Sequence, residues 1–408
     1  MMTTFPDGFL WGASTAPHQV EGNNVASNFW ANEGRMPGME RSGDACDSYH
    51  RYAEDMQLLA DNGYNAYRFG IEWARIEPVE GAFSNAELAH YRRMIDKAIA
   101  LGLTPVVTLQ HFTCPQWFAQ KGGWLADTAS ADFNRYVEKV CSILEDVPYV
   151  ITMNEPNMLS MMTAMERDMA KMMAAQAAGE DTEWQSPTVE GDAERPRPPL
   201  PTPDAEIGQR LVEIHHSARK VVRKNTDALV GWTVANRAYA ARPGGEEKMK
   251  ELQWVWEDLY LAGSEGDDFI GVQAYTSQWV NADGIEAVEP APSNTLVGTA
   301  YRPDSLGMAV RHTAEVTGLP ILITENGIAT ADDDQRIAYI EGALKGLFDA
   351  MCDGADVKGY LHWSLLDNYE WGHWAPTFGL IAIDRETFVR TPKPSLAWLG
   401  AVAGRNEL

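Results

Sequence analysis

The stretch Tyr149-Val150-Ile151-Thr152-Met153-Asn154-Glu155-Pro156 is a short apolar run, rich in β-branched residues, that stops on an amide, a carboxyl and a proline. Val, Ile and Thr favour extended backbone and a proline cannot continue a central strand, so the run reads as a buried strand delivering Asn154 and Glu155 at its end. Ile321-Leu322-Ile323-Thr324-Glu325-Asn326-Gly327 has the same construction. Continuous apolar runs, without polar alternation, belong to strands covered on both faces, as in parallel sheets flanked by helices.

Working outward, six further runs have this character: Phe9–Ala13, Ala66–Ile71, Thr104–Leu109, Ala228–Val234, Phe269–Val272 and Gly359–Trp363. Between the candidate strands lie helical patterns over Asp47–Asn62, Asn85–Leu101, Ala131–Glu145, Glu206–Asn225 and Asp334–Cys352. Gly63 and Gly102 stand where a left-handed residue stops a helix. Eight strands alternating with helices predict the α/β class, with residues 1–408 forming a single-domain (β/α)8 barrel of the TIM type. From about 179 to 203 the chain is acidic and Pro-rich, which reads as a loop insertion because the alternation resumes after it. Met158–Met173 reads as a helix whose methionines serve adaptable packing rather than lining an apolar entrance.

Lys and Arg number 33 against 58 Asp and Glu, a formal charge of −25. That balance opposes nucleic acid and anionic membrane surfaces as partners. No uncharged apolar run reaches membrane-spanning length, and the start lacks a basic-then-apolar targeting pattern. Cys46, Cys114, Cys141 and Cys352 are scattered, without the close pairs of a zinc site or a disulfide framework. A cytoplasmic protein without metal or organic cofactor is expected, and self-association into a homo-oligomer is left open.

In a (β/α)8 barrel, chemistry gathers at the carboxyl ends of the strands. Reading each strand to its end gives Gln19, Arg68, His111, Asn154 with Glu155, Asn236, Tyr275, Glu325, and Trp363 followed by Glu370 and Trp371. Amides and carboxyls suit hydroxyl-rich ligands, and an aromatic face suits their C–H surface, so this ring points to a sugar. Each residue alone has a plainer explanation: a structural histidine, an ordinary ion pair, a core tryptophan. Their coincidence at successive strand ends carries the reading. Two carboxyls from two strands are also what hydrolysis of a glycosidic bond with retention requires.

Several longer motifs then carry a family resemblance: Phe5–Gly22 (FPDGFLWGASTAPHQVEG), Tyr67-Arg68-Phe69, Trp73–Ile76, Thr108–Phe112, Asn154-Glu155-Pro156, Thr324–Gly327, Trp363–Trp371 (WSLLDNYEW) and Arg390–Ser395. The chain resembles family 1 glycoside hydrolases, the retaining β-glucosidase and β-galactosidase group, from Phe5 to about Trp398. The resemblance implies Glu155 as general acid/base and Glu325 as nucleophile, with Arg68 and Tyr275 supporting the nucleophile. It also implies Gln19 and Glu370 on the 3-, 4- and 6-hydroxyls, His111 on the 3-hydroxyl and Asn154 on the 2-hydroxyl. Trp363 becomes a platform under the ring, Trp371 closes its polar edge, and Asn236 joins the substrate-binding ring. Arg68 is expected to hold Glu325 charged while burial and the charge of Glu325 keep Glu155 protonated, at a carboxyl separation of roughly 5 to 5.5 Å.

The expected substrate is a small β-glycoside, glucose first, with β-galactoside and β-fucoside cleavage as the broader alternative. Departures from the family pattern are Gln273 in place of Asn, Glu72 in place of Ser, and the region from Met158 to Pro203. A catalytically silent sugar-binding barrel is the reading from another class, disfavoured because both carboxyls are present. A metalloenzyme is disfavoured because His111 has no histidine companion at another strand end.

Overall fold

A computed structural model, describing residues 3–34, 38–177 and 196–408, closes eight parallel strands into a barrel. They are β1 (Leu10–Ser14), β2 (Ala66–Gly70), β3 (Thr104–Thr108), β4 (Tyr149–Asn154), β5 (Leu229–Ala235), β6 (Ile270–Gln273), β7 (Ile321–Glu325) and β8 (Val357–Trp363). Each pairs with the next, and β8 returns to β1 in the register Leu10 to Gly359. Every predicted strand is therefore present, with ends displaced by one or two residues. The helices predicted from periodicity are also found, as α1 (Ser48–Asp61), α2 (Asn85–Ala100), α3 (Ala129–Cys141), α5 (Ala205–Asn225) and α7 (Asp333–Cys352). Between them lie α4 (Pro156–Ala177) and α6 (Ser305–Thr317).

Leu10, Ala66, Val106, Ile151, Phe269, Leu322 and Leu361 form their own buried cluster, and only the barrel lumen can unite residues from so many strands. Two or four residues further along the same strand faces stand Ser14, Arg68 and Thr108. The lumen thus turns from an apolar plug to a polar floor towards the strands' carboxyl ends. A larger core fills the space between the strands and the surrounding helices.

Both strands that end in the candidate carboxyls slip register just before them. β4 shifts against β5 between Ile151 and Asn154, and β7 shifts against β6 between Ile323 and Glu325. Such irregularities re-aim the following side chains. Glu155 itself has φ 45°, a left-handed conformation that non-glycine residues adopt only where surroundings enforce it. Pro156 then opens α4, where its fixed φ and missing N–H cost nothing.

Met158, Met161, Met162 and Met165 of α4 pack with Tyr239, Leu252, Trp256 and Val280 in a satellite cluster. Beneath it is a small sheet of Tyr239–Ala241, Gln278–Asn281 and Gly284–Ile285, which sequence periodicity does not reveal. Strands of two to four residues are too short to show alternation. The acidic insertion falls outside the described residues from 179 to 195. Residues 196–203 continue as irregular chain, with Arg197 bridging to Val288. Among the described residues no helix is long and apolar enough to cross a membrane.

At the strands' amino end the two ends of the chain are clasped. The Leu408 N–H donates to the Thr3 carbonyl at 3.1 Å and the Phe5 N–H to the Asn406 carbonyl at 3.0 Å. The Trp11 indole N–H adds a bond to Asn406 Oδ1 at 2.9 Å.

Candidate active site

Arg68 is the hub of the polar floor and is wholly buried. Its Nε donates to Thr108 Oγ1 at 3.0 Å, Nη1 to Glu325 Oε1 at 2.5 Å, and Nη2 to Asn154 Oδ1 at 2.5 Å. One guanidinium therefore joins the ends of β2, β3, β4 and β7, which a planar fork of fixed donors does better than a lysine. The second oxygen of Glu325 accepts from the Tyr275 hydroxyl at 2.5 Å. Burial pushes the Tyr275 phenol well above its usual range, so it remains a donor.

Asn154 is oriented by three donors. Its Oδ1 accepts from Arg68, from Gln273 Nε2 at 2.9 Å and from Thr233 Oγ1 at 3.2 Å. That convergence fixes the amide's orientation and leaves the buried Nδ2 without a protein partner. The departure at Gln273 thus has a role: its longer arm buttresses Asn154.

Glu155 is 8% exposed and, among the described residues, has no ion-pair partner. Burial first, and the negative charge of Glu325 second, raise its pKa well above the ordinary carboxyl range, against the pull of Arg68 and Arg237. Burial also raises Glu325, but the Arg68 charge and the Tyr275 hydrogen bond oppose it. Arg68, expected to hold Glu325 charged, does favour the ionised form, but it counters burial without overcoming it, and the pKa lies above the ordinary value. The difference between the two carboxyls stands, because only one has a cation and a hydroxyl on it.

Across the mouth, Gln19 Nε2 donates to Asn368 Oδ1, the Tyr369 carbonyl and Glu370 Oε2 at 3.0, 2.9 and 3.3 Å. Its Oε1 is buried without a protein partner. Glu370 also accepts from the Trp363 indole at 3.3 Å, and burial pushes its carboxyl up to about 8. His111 lies between two tryptophans, its ring near-parallel to Trp363 at 5.8 Å and to Trp371 at 6.0 Å. Burial, with Arg68 nearby, holds that imidazole neutral by drawing its pKa well below the usual value. His18 braces Trp371 from another side, ring on ring at 5.9 Å, and is itself bonded to Glu33 at 2.8 Å.

Gln19, Arg68, His111, Asn154, Glu155, Tyr275, Glu325, Trp363, Glu370 and Trp371 are thus disposed about one mouth through direct contacts or shared partners. Asn236 is the exception. Its amide donates to Glu257 Oε2 and Thr313 Oγ1, both at 3.1 Å, and its Oδ1 accepts from the Gln273 N–H at 3.3 Å. With its polar atoms engaged by protein, Asn236 braces β5 against β6 rather than facing a sugar. Sequence reading placed it correctly at a strand end but could not see which way its amide is committed. It also passed over Arg237, whose guanidinium is close enough to Glu155 to lower that carboxyl's proton affinity. A charged residue directly after an apolar strand was the available signal.

A barrel mouth with two unequal buried carboxyls and amides of unmet hydrogen-bonding capacity defines a glycoside-hydrolysing enzyme. Comparison with known proteins agrees. The model of glycosyl hydrolase family 1 matches residues 1–171 and 246–408, and the chain belongs to that family. It is 30% identical over 448 residues to "Thermostable beta-glucosidase B" of Thermobispora bispora, covering 99% of this chain and 92% of the relative. A solved structure described as "Apo structure of a beta-glucosidase 1317" superposes with a TM-score of 0.84 at 40% identity, covering 97% of this chain and 98% of that one. "Beta-glycosidase from Pyrococcus horikoshii" gives a TM-score of 0.84 at 32% identity, covering 100% of this chain and 96% of that one. The family match leaves out residues 172–245, which contain β5 and Arg237.

Proposed function

We propose that this enzyme hydrolyses terminal, non-reducing β-D-glucosyl residues of small β-glycosides by double displacement through a covalent glycosyl-enzyme. The observation that carries the assignment of roles is the inequality of the two carboxyls. Glu325, with Arg68 and Tyr275 upon it, is the one able to ionise and attack the anomeric carbon. Glu155, more strongly raised and unpaired among the described residues, is the one able to start protonated and give its proton to the departing oxygen. When the glycosyl-enzyme forms, the charge of Glu325 is lost and the chief electrostatic cause of the raised Glu155 pKa goes with it. Glu155 then accepts a proton from the water that releases the sugar.

The unmet amide atoms support recognition of the glycon. Asn154 Nδ2 suits the 2-hydroxyl, whose hydrogen bonds strengthen in the oxocarbenium-like transition state, and Gln19 Oε1 with Glu370 suits the 3-, 4- and 6-hydroxyls. The described hydrogen-bond partners of Glu370 are neutral, Gln19 and Trp363, so a 6-phosphate has no cation to meet there. Because a carboxyl can bond either orientation of a 4-hydroxyl, β-galactosides and β-fucosides are expected as lesser substrates. Free cysteines, three of them buried, support a reducing, cytoplasmic setting. Proton NMR of a β-glucoside digest tests the mechanism: the first-formed sugar is expected as the β-anomer, and initial release of the α-anomer overturns double displacement.

A further inference from the structure

β5 lies diametrically across the closed barrel from β1, so its exit is the wall farthest from Gln19 and the Glu370 carboxyl bonded to it. On that wall Arg237 is held rigidly. Its backbone N–H donates to Glu257 Oε1 at 2.9 Å. Its Nε and Nη2 both donate to Gln278 Oε1, at 3.0 and 2.7 Å, and the guanidinium lies 4.7 Å from the centre of the Trp256 ring. No carboxylate of the described residues comes within 4 Å of it, although the chain carries an excess of 25 negative charges. Glu257 serves the Arg237 and Asn236 N–H groups instead.

Two further polar groups stand beside it. The Tyr239 hydroxyl, 6% exposed as a residue, is near enough to Arg237 to feel its charge and to take a contact from its guanidinium, while its own O–H proton meets no acceptor among the described residues. The Trp256 indole N–H is wholly buried and likewise unmatched. A buried unmatched donor is unfavourable, and a fixed cation without a counter-ion adds electrostatic demand. A guanidinium whose described acceptors are neutral, with an O–H and an N–H beside it left unmatched, makes a site for an anion. Thr233 of β5 accepts the Glu155 N–H at 3.0 Å, so Arg237, leaving the same strand, lies on the proton donor's side of the mouth, where the leaving group departs.

We infer that Arg237, with Tyr239 and Trp256, forms a leaving-group site that selects β-glucosides whose aglycone carries a carboxylate. This rests on the assignment of Glu155 as acid/base. It places the selective cation in residues 172–245, which lie outside the match to the family model. The neutral-sugar side of the mouth then stays as described, and charge discrimination operates on the aglycone alone.

The test compares 4-carboxyphenyl β-glucoside with its neutral isostere, 4-carbamoylphenyl β-glucoside, on the full chain. The wild type is expected to favour the carboxylate by about tenfold in kcat/KM, the scale of one charge-assisted contact. Arg237→Gln is expected to bring the ratio to within about twofold of unity and Arg237→Lys to retain part of it, through KM. A wild-type ratio near one, or a ratio unchanged in Arg237→Gln, overturns the inference while leaving the glucosidase reading intact. Turnover of neither compound defeats both together. Should Arg237→Gln fail to fold, the wild-type salt series decides: KM for the carboxylate should rise with ionic strength while that for the amide stays level, and parallel behaviour overturns the site.

Discussion

Two buried arginine–carboxylate pairs are built from the same chemistry and left in opposite states. Arg390 grips Asp55 with Nε on Oδ1 at 2.7 Å and Nη2 on Oδ2 at 3.2 Å, Ser48 adds a hydroxyl to Oδ2 at 2.8 Å, and Nη1 takes the Phe388 carbonyl at 2.8 Å. That pair is closed, and it ties the segment entering the helix Pro394–Arg405 to α1. Arg68 and Glu325 sit instead beside a second carboxyl that, among the described residues, has no ion-pair partner, and near two amide atoms likewise unmatched, Asn154 Nδ2 and Gln19 Oε1. A saturated buried pair holds a fold together; an unsaturated one stays ready for a ligand.

Exchanging partners in each pair should separate rate from stability. Glu325→Gln keeps an acceptor for Arg68 but cannot attack, so kcat/KM on an aryl β-glucoside should fall by on the order of 10⁵-fold, about 7 kcal/mol. Its melting temperature should move less than that of Asp55→Ala, and a variant retaining a hundredth of wild-type turnover would break the contrast. Glu155→Ala should lose about 10³- to 10⁴-fold on poorly activated leaving groups and less on 4-nitrophenyl β-glucoside. Azide should restore turnover with a β-glycosyl azide, and an α product would reverse the two roles.

Asp55→Ala, which strands the Arg390 charge, should cost about 3–5 kcal/mol in denaturant unfolding while leaving KM for the glucoside unchanged. Glu325 must be ionised and Glu155 protonated, so kcat/KM should climb as pH passes the raised Glu325 value and decline beyond the still higher value of Glu155. Removing the Tyr275 hydroxyl takes away a bond that favours ionised Glu325. Tyr275→Phe should therefore shift the acid limb to higher pH and cost about tenfold in rate, whereas a shift downwards would contradict the hydrogen bond's assigned sign. A separate effect, on stability alone, concerns Glu370, raised from 4.5 to about 8. Folded protein keeps a proton there that unfolded chain gives up, so this contribution is full below about 4.5 and is lost as pH rises through about 8. Glu370→Gln should flatten that decline, as read from unfolding at a series of pH values.

The barrel was legible because each strand is a dense apolar run of four or more residues and each long helix repeats its apolar face. Strand-end order then brought Arg68, Glu155 and Glu325 together from residues far apart in the chain. What escaped depends on side-chain commitment rather than position. Asn236 and Asn154 are both amides at strand ends. Asn236 is engaged by Glu257, Thr313 and Gln273, whereas Asn154 keeps an open N–H, and sequence spacing carries no trace of that difference. Nor does composition show how burial and Arg68 contend over Glu325. Arg237 was passed over because its significance lies in what does not pair with it.

The clasp between residues 3–5 and 406–408 makes the order of elements a closed cycle in space, with no privileged place to begin reading it. A tether of a few residues between residues 3 and 408 would bridge that clasp on the face opposite the mouth. The polypeptide can then be reopened in a surface loop elsewhere, and fusions or surface attachments made at the clasp leave the entrance clear.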